Sequence, residues 1–143
     1  MNLFELLSAG ERRTPDKPAL QFATHDGVGE PVTQRQLFDD ARRLAARLRG
    51  LGLRPGDRVA FYLGNRVELV STYLALMAVG AVMVPITLAY RRREIAHILG
   101  DAEPRLVLTE TAQLEVLDEL APDERASVER VLLAEELSDL EAT

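Results

Sequence analysis

Three apolar runs, beginning near residues 58, 82 and 105, constrain this chain more than any other feature, because they are spaced by 24 and 23 residues. Each run has strand length, and each gap has room for one helix. Arg58-Val59-Ala60-Phe61-Tyr62-Leu63 leads into a helical stretch that Gly80 ends, and Val82 opens the second run. A helix from about Arg92 to Asp101, with Ile95, Ile98 and Leu99 on one face, leads to the third run at Arg105–Leu108. A helix between two strands carries the chain back to the edge it left, so the strands run parallel. Parallel strands are covered on both faces, which explains runs that are apolar throughout rather than alternating. Three such units are too few for a solenoid. The expected fold class is α/β, a doubly wound, mostly parallel sheet flanked by helices.

The flanks carry local signals. Leu3–Arg13 reads as a short helix with Leu3, Leu6 and Leu7 on one side. Thr14-Pro15-Asp16-Lys17-Pro18 forms an extended turn, since a residue before proline is driven out of the helical region. Ala19–Ala23 reads as a first strand, and His25-Asp26-Gly27-Val28-Gly29 is turn material suited to a hairpin. Thr33 and Gln36 form the Ser/Thr-x-x-Glu/Gln box that opens a helix. Its apolar positions are Leu37, Ala41, Leu44, Ala45, Leu48 and Leu51, with Asp39 and Arg43 spaced for an i,i+4 pair and Gly52 as the stop. Asn65 is expected to cap the next helix, with Glu68 at its third position. Beyond Thr109 a helix is expected around Ala112–Leu120 and a strand at Arg130–Leu133.

Composition narrows the function. A chain of 143 residues with 17 basic and 23 acidic side chains, net −6, lacks the basic face that a nucleic-acid partner requires. There is no cysteine, so disulfides and thiolate metal sites are excluded. Sixteen of the basic residues are arginine, and Lys17 is the single lysine. Leu69–Tyr90 is 22 residues without a formal charge, the length of a membrane span. Its texture changes at Gly80 from buried helix to buried strand, so a helix and a strand are expected there and no span. The first residues lack the basic start and long apolar core of an export signal, and the expected location is the cytoplasm.

Ligands of an open parallel sheet gather beyond the C-terminal strand ends. Those loops are Gly64-Asn65, Thr87–Arg93 and Thr109-Glu110-Thr111. None is a phosphate cradle by sequence. The glycines at 50, 52 and 56 lie between a helix and a strand, the reverse of the dinucleotide fingerprint. His25 and His97 have no ligand spacing around them, Ser71 sits in mid-helix without a nucleophile elbow, and Asp39 and Asp40 point to different sides of a helix. No catalytic residue and no metal-ligand set is therefore expected. Arg91-Arg92-Arg93 is the one local excess of charge on a ligand-side loop. It reads either as a solvated helix start, although cations there oppose the helix dipole, or as a contact for phosphate groups.

Three ordered stretches resemble one known superfamily. They are Pro31-Val32-Thr33-Gln34-Arg35-Gln36-Leu37 with Leu51-Gly52-Leu53-Arg54-Pro55-Gly56-Asp57-Arg58-Val59-Ala60, then Gly64-Asn65-Arg66-Val67-Glu68-Leu69, then Tyr73–Ile86 followed by Glu94–Leu108. The set is similar to the start of AMP-forming acyl-CoA synthetases, the superfamily that includes adenylation domains and luciferases. Leu88-Ala89-Tyr90 and the run around His97–Pro104 are similar to malonyl-CoA-synthetase-like members.

The resemblance implies a parent enzyme that joins a carboxylate to the α-phosphate of ATP and then transfers the acyl group to CoA. ATP, Mg²⁺ and CoA are implied for that parent, and the remainder of a synthetase chain as partner. The family's phosphate loop, its lysines, its Mg²⁺ glutamate and its ribose aspartate have no counterpart in this sequence, and Lys17 matches neither family lysine. Residues 1–109 are expected to be the N-terminal α/β subdomain and 110–143 its continuation, ending before the phosphate loop. On this reading the chain alone is not catalytic, and Arg91, Arg92 and Arg93 are candidates for the phosphates of CoA in the parent. A sheet edge or apolar face left uncovered is expected to pair with a second copy of the chain. A stand-alone binding or regulatory module that kept the fold, or one half of a split enzyme, is the alternative.

Overall fold

The computed structural model describes residues 2–141. Helix α1 (Leu3–Arg13) opens on a reciprocal cap: Glu5 N–H donates to the Asn2 side chain at 3.0 Å, and Asn2 N–H donates to the Glu5 carboxylate at 3.1 Å. Its inward face carries Phe4, Ser8 and Glu11, while the Leu3–Leu6–Leu7 side faces outward, with Leu6 61% exposed. Phe4 packs against Phe38 with ring centroids 5.6 Å apart, and Glu11 ion-pairs with Arg42; these two contacts set the helix's rotation about its axis.

Short strands follow: β1 (Pro18–Leu20), β2 (Ala23–Thr24), β3 (Gly27–Val28) and β4 (Val32–Thr33). β1 pairs antiparallel with β4, and β2 with β3 across a His25-Asp26 turn. The one strand expected at 19–23 is thus two, split where Gly29 N–H donates to the Phe22 carbonyl at 2.8 Å. Helix α2 (Gln34–Gly50) starts on the Thr33–Gln36 box, with bonds of 3.2 and 2.9 Å. Its ion pairs are Asp39–Arg42 and Asp40–Arg43, not the expected Asp39–Arg43. Arg42 is drawn between Asp39 and Glu11 of α1, leaving Arg43 to Asp40.

The rest is β5 (Arg58–Tyr62), α3 (Val67–Val79), β6 (Val82–Pro85), α4 (Arg92–Ala102), β7 (Leu106–Thr109), α5 (Leu114–Asp118) between two 3₁₀ turns, β8 (Arg130–Leu133) and α6 (Ala134–Glu141). Strands β5 to β8 form one parallel sheet in the order β6-β5-β7-β8. Val59 and Phe61 of β5, with Leu106 and Leu108 of β7, point to the face covered by α2, α3 and α6. Ala60, Tyr62 and Val107 point to the other face, against Ile95 and Leu99 of α4 and Leu117 beside α5's end. Both faces of the central strands β5 and β7 are buried, as their continuous apolar runs required. Burying one such large side chain stabilises by ~1.5–3 kcal/mol. The run at 82, expected to be a buried strand, is instead the edge strand β6, with Val82 47% exposed because no strand among the described residues pairs beyond it.

The uncharged stretch 69–90 resolves into α3, a left-handed stop at Gly80 and β6. Gly80 has φ 84° and a Cβ there would lie 3.4 Å from Pro55, so an L side chain would be strained. No helix among the described residues is long and apolar enough to cross a membrane.

Candidate functional site

The order β6-β5-β7-β8 creates a crevice. After β5 the chain crosses on the face of α3; after β7 it crosses on the face of α5. Neighbouring parallel strands whose connections leave for opposite faces define the switch point where ligands of such sheets bind. Here it lies between the loop Gly64-Asn65-Arg66 and the loop Glu110-Thr111.

That crevice carries a charge network. Glu110, the residue after β7, accepts from Gly64 N–H at 3.0 Å and from Arg66 Nη1 at 3.1 Å. Glu135, in the first turn of α6, accepts from Thr111 N–H at 3.1 Å and from Arg66 Nη1 at 3.4 Å. Glu68 accepts from Arg66 Nε at 3.2 Å. Burial opposes the Arg66 charge, but its bonds to Glu68 and Glu110 and the field of Glu135 outweigh that and hold the guanidinium above its usual range. Glu135 is held below the usual carboxylate range by its own N–H, by Thr111 N–H and by Arg66. A shallow cleft of about 400 Å³ beside the network is lined by Phe22, Asn65, Arg66, Val67, Glu68 and Glu110.

Asn65 does not cap α3. The cap position is Arg66, in extended geometry and without a side-chain cap bond. Its backbone starts the helix while its side chain reaches across to Glu110 after β7 and to Glu135 of α6, so the helix begins one residue later than the Asn65–Glu68 spacing implies.

The loop after β6 forms a second part of the rim. Tyr62, fully buried, donates its hydroxyl hydrogen bond to the Tyr90 carbonyl at 3.0 Å. The three arginines beside it diverge. Arg91 Nη1 donates to the carbonyls of Leu88 at 2.7 Å and Tyr90 at 3.1 Å, tying the loop to itself. Arg92 donates to both oxygens of Glu124, at 3.1 and 2.9 Å, and to the Glu119 carbonyl. Arg93 lines a cleft of about 350 Å³ with Tyr90, Glu94, His97 and Ile98. The Glu94 carboxylate is held low by the Arg91 N–H, by its own N–H and by Arg93, offsetting the cations at this helix start.

Other residues singled out in the sequence stand apart. His25 is exposed beside Asp26, 3.3 Å away. Ser71 is buried in α3 and donates to the Glu68 carbonyl at 3.2 Å. Lys17 is exposed and joins the structure through its backbone, its carbonyl accepting from Gln34 N–H at 2.9 Å. Among the described residues, no three His, Asp or Glu side chains are arranged to hold a metal ion. Glu68, Glu110 and Glu135 turn towards Arg66 instead. The sequence pointed to the loops of this rim but not to the pairing of Arg66 with Glu110 and Glu135. The available signal was a glutamate within two residues of the ends of β7 and β8, Glu110 and Glu135, on the ligand side.

A doubly wound sheet with its loops gathered at one rim is the frame of many nucleotide- and acyl-handling enzymes. Residues 7–143 match the model of the AMP-binding enzyme family, and the chain belongs to that family. The crotonobetaine/carnitine–CoA ligase of Salmonella typhimurium is 31% identical over 118 residues, which cover 82% of this chain and 23% of the ligase. The chain therefore spans less than a quarter of such relatives. The Mycobacterium tuberculosis fatty acyl CoA synthetase superposes with a TM-score of 0.85 at 26% identity, over 99% of this chain and 28% of that one. The N-terminal subdomain of NpsA from Klebsiella oxytoca, bound to 3-hydroxyanthranilyl-AMSN, gives 0.76 at 28% identity over 96% and 31% of the two chains.

Proposed function

We propose that this chain is the N-terminal part of an AMP-forming acyl-CoA synthetase. Such an enzyme activates a carboxylic acid with ATP to acyl-AMP, releasing pyrophosphate, and passes the acyl group to the thiol of CoA. The observation that carries the reading is the family match over 7–143 together with the superposition of nearly the whole chain on a fatty acyl CoA synthetase. Within that reaction this chain supplies a rigid sheet and part of a rim. The charge that develops at phosphorus is met by residues outside it. Carboxylate-dependent pyrophosphate release by the 143-residue chain, above a blank without acid, would falsify this division of labour.

The rim's part in the reading is the contact to CoA. Arg91 and Arg92 spend their guanidinium groups on loop carbonyls and on Glu124, so Arg93 is the member of the trio left facing a cleft. Tyr90 and Ile98 give that cleft apolar walls, and Arg93 a planar donor set suited to phosphate oxygens. A chimera in which the 118 residues matched to the Salmonella ligase replace the corresponding segment of that enzyme tests it. The triple alanine variant at 91–93 should raise the KM for CoA by roughly tenfold, as expected for a charge-assisted phosphate contact, and spare the ATP-dependent half-reaction. An unchanged KM for CoA leaves these arginines as solvated and loop-holding groups only.

A further inference from the structure

We infer that Arg66 is a positioning residue which locks the ligand-side loops after β5 and β7 and the first turn of α6 into one rigid rim, independently of the sheet beneath them. Gly64 and Thr111 lie just past the ends of β5 and β7, and their N–H groups are taken by the carboxylates of Glu110 and Glu135. Both carboxylates then meet on Arg66 Nη1, and Arg66 Nε holds Glu68 of α3. One planar guanidinium thus joins the loop after β5, the loop after β7 and the first turn of α6. A lysine could not do this, because its ammonium is a single point and its donors lack the fixed fork.

The side chains are partly sheltered: 26% exposed for Arg66, 15% for Glu110, 20% for Glu68 and 41% for Glu135. Three carboxylates share one cation, so without Arg66 they repel one another at short range in a site that screens poorly. Repulsion then pulls Glu110 and Glu135 away from the two N–H groups they hold, and the loops lose their register. The strands are unaffected, since their ladder bonds are backbone to backbone. This role of Arg66 depends only on the rim's place at the C-terminal strand ends, whatever ligand the rim meets.

Amide hydrogen exchange by NMR on the 143-residue chain tests it. In Arg66→Met, exchange at Gly64 and Thr111 should accelerate by about tenfold or more, the scale set by losing charged hydrogen bonds. Gly56 and Val82, whose N–H groups bond to backbone carbonyls at the opposite end of the sheet, should change by less than about twofold. Arg66→Lys should fall between the two, because charge is kept and the fork is lost. Equal acceleration at all four amides would mean that Arg66 contributes only to global stability and would overturn the inference. So would no acceleration at Gly64 and Thr111. Should the methionine variant not fold, the lysine variant gives the same readout, with local and uniform acceleration deciding as before.

Discussion

The two ends of the parallel sheet use the same chemistry for different purposes. At the N-terminal end, Arg105 donates to Asp57 at 2.6 Å, to Glu129 at 2.8 Å and to the Gly52 carbonyl at 2.9 Å. At the C-terminal end, Arg66 gathers Glu68, Glu110 and Glu135. Around Arg105 the backbone is already tied: Gly56 N–H donates to Gly80, Val82 N–H to Asp57, Arg105 N–H to Arg58 and Glu129 N–H to Arg105. There the side chains fasten elements that the ladder has aligned. Around Arg66, the Gly64 and Thr111 N–H groups depend on carboxylates. The lesson is that an arginine hub on a continuing ladder stabilises the fold, whereas one beyond the ladder's end shapes loops.

Three measurements sharpen or break that contrast. The largest effect should come from Phe61→Ala, because Phe61 is 2% exposed and stacks on Tyr73 at 4.8 Å between the two ends. A loss of ~3–5 kcal/mol in urea unfolding is expected, with exchange rising together at Gly56 and Gly64. If only one end responded, the sheet would not be one cooperative unit.

Arg105→Ala comes next and should lower Tm more than Arg66→Met. It should also change the response to acid. The carboxyl of Asp57 is held below its usual range by the Arg54 N–H and by Arg105, and that of Glu129 by Arg105. Carboxylates lowered in the folded state contribute stability that is complete above their ordinary pKa, ~4, and lost as pH falls through the lowered values. The parent chain should therefore lose stability steeply below about pH 4, and Arg105→Ala less steeply. Parallel Tm profiles for the two proteins between pH 2 and 6 (roughly the carboxylate range) would show that this hub is ornamental.

The smallest effect belongs to Tyr62→Phe. It removes the hydroxyl that holds the Tyr90 carbonyl, at a cost of ~0.5–1.5 kcal/mol. Exchange at Tyr90, whose N–H donates to Thr87 at 3.1 Å, should rise while Gly56 stays protected. A change at Gly56 of the same size would place the loop after β6 with the fold rather than with the rim.

Much of this architecture was legible from residue pattern. The expected α1 matches its observed bounds, the Thr33–Gln36 box opens α2, Gly80 ends α3, and the runs at 58, 82 and 105 are parallel strands within a residue or two. The misses share a cause. The Leu3–Leu6–Leu7 side of α1 faces outward because Phe4 and Glu11 found partners on α2. Asp39 pairs with Arg42, which also reaches that Glu11, rather than with Arg43, and Asn65 gave way as a cap to Arg66, whose side chain had partners just after β7 and on α6. In each case a contact between elements outweighed a local preference worth about 1 kcal/mol or less. The divergence of Arg91, Arg92 and Arg93 was hidden likewise, because Glu124 lies beyond β7 in sequence and beside α4 in space.

The sequence by itself determined most of the elements, the parallel sense of the main strands and the burial of both faces of β5 and β7, since these follow from apolar period, caps and glycine stops acting over a few residues. Only the tertiary structure decided that β5 and β7 are neighbours with crossovers on opposite faces, and so where the crevice lies. That adjacency brings Arg66 to Glu110, 44 residues away, and to Glu135, 69 away. A charge on a loop carries no local mark of its partner. Which carboxylate it meets depends on strand order, and strand order is set by how whole faces pack rather than by any run of neighbouring residues.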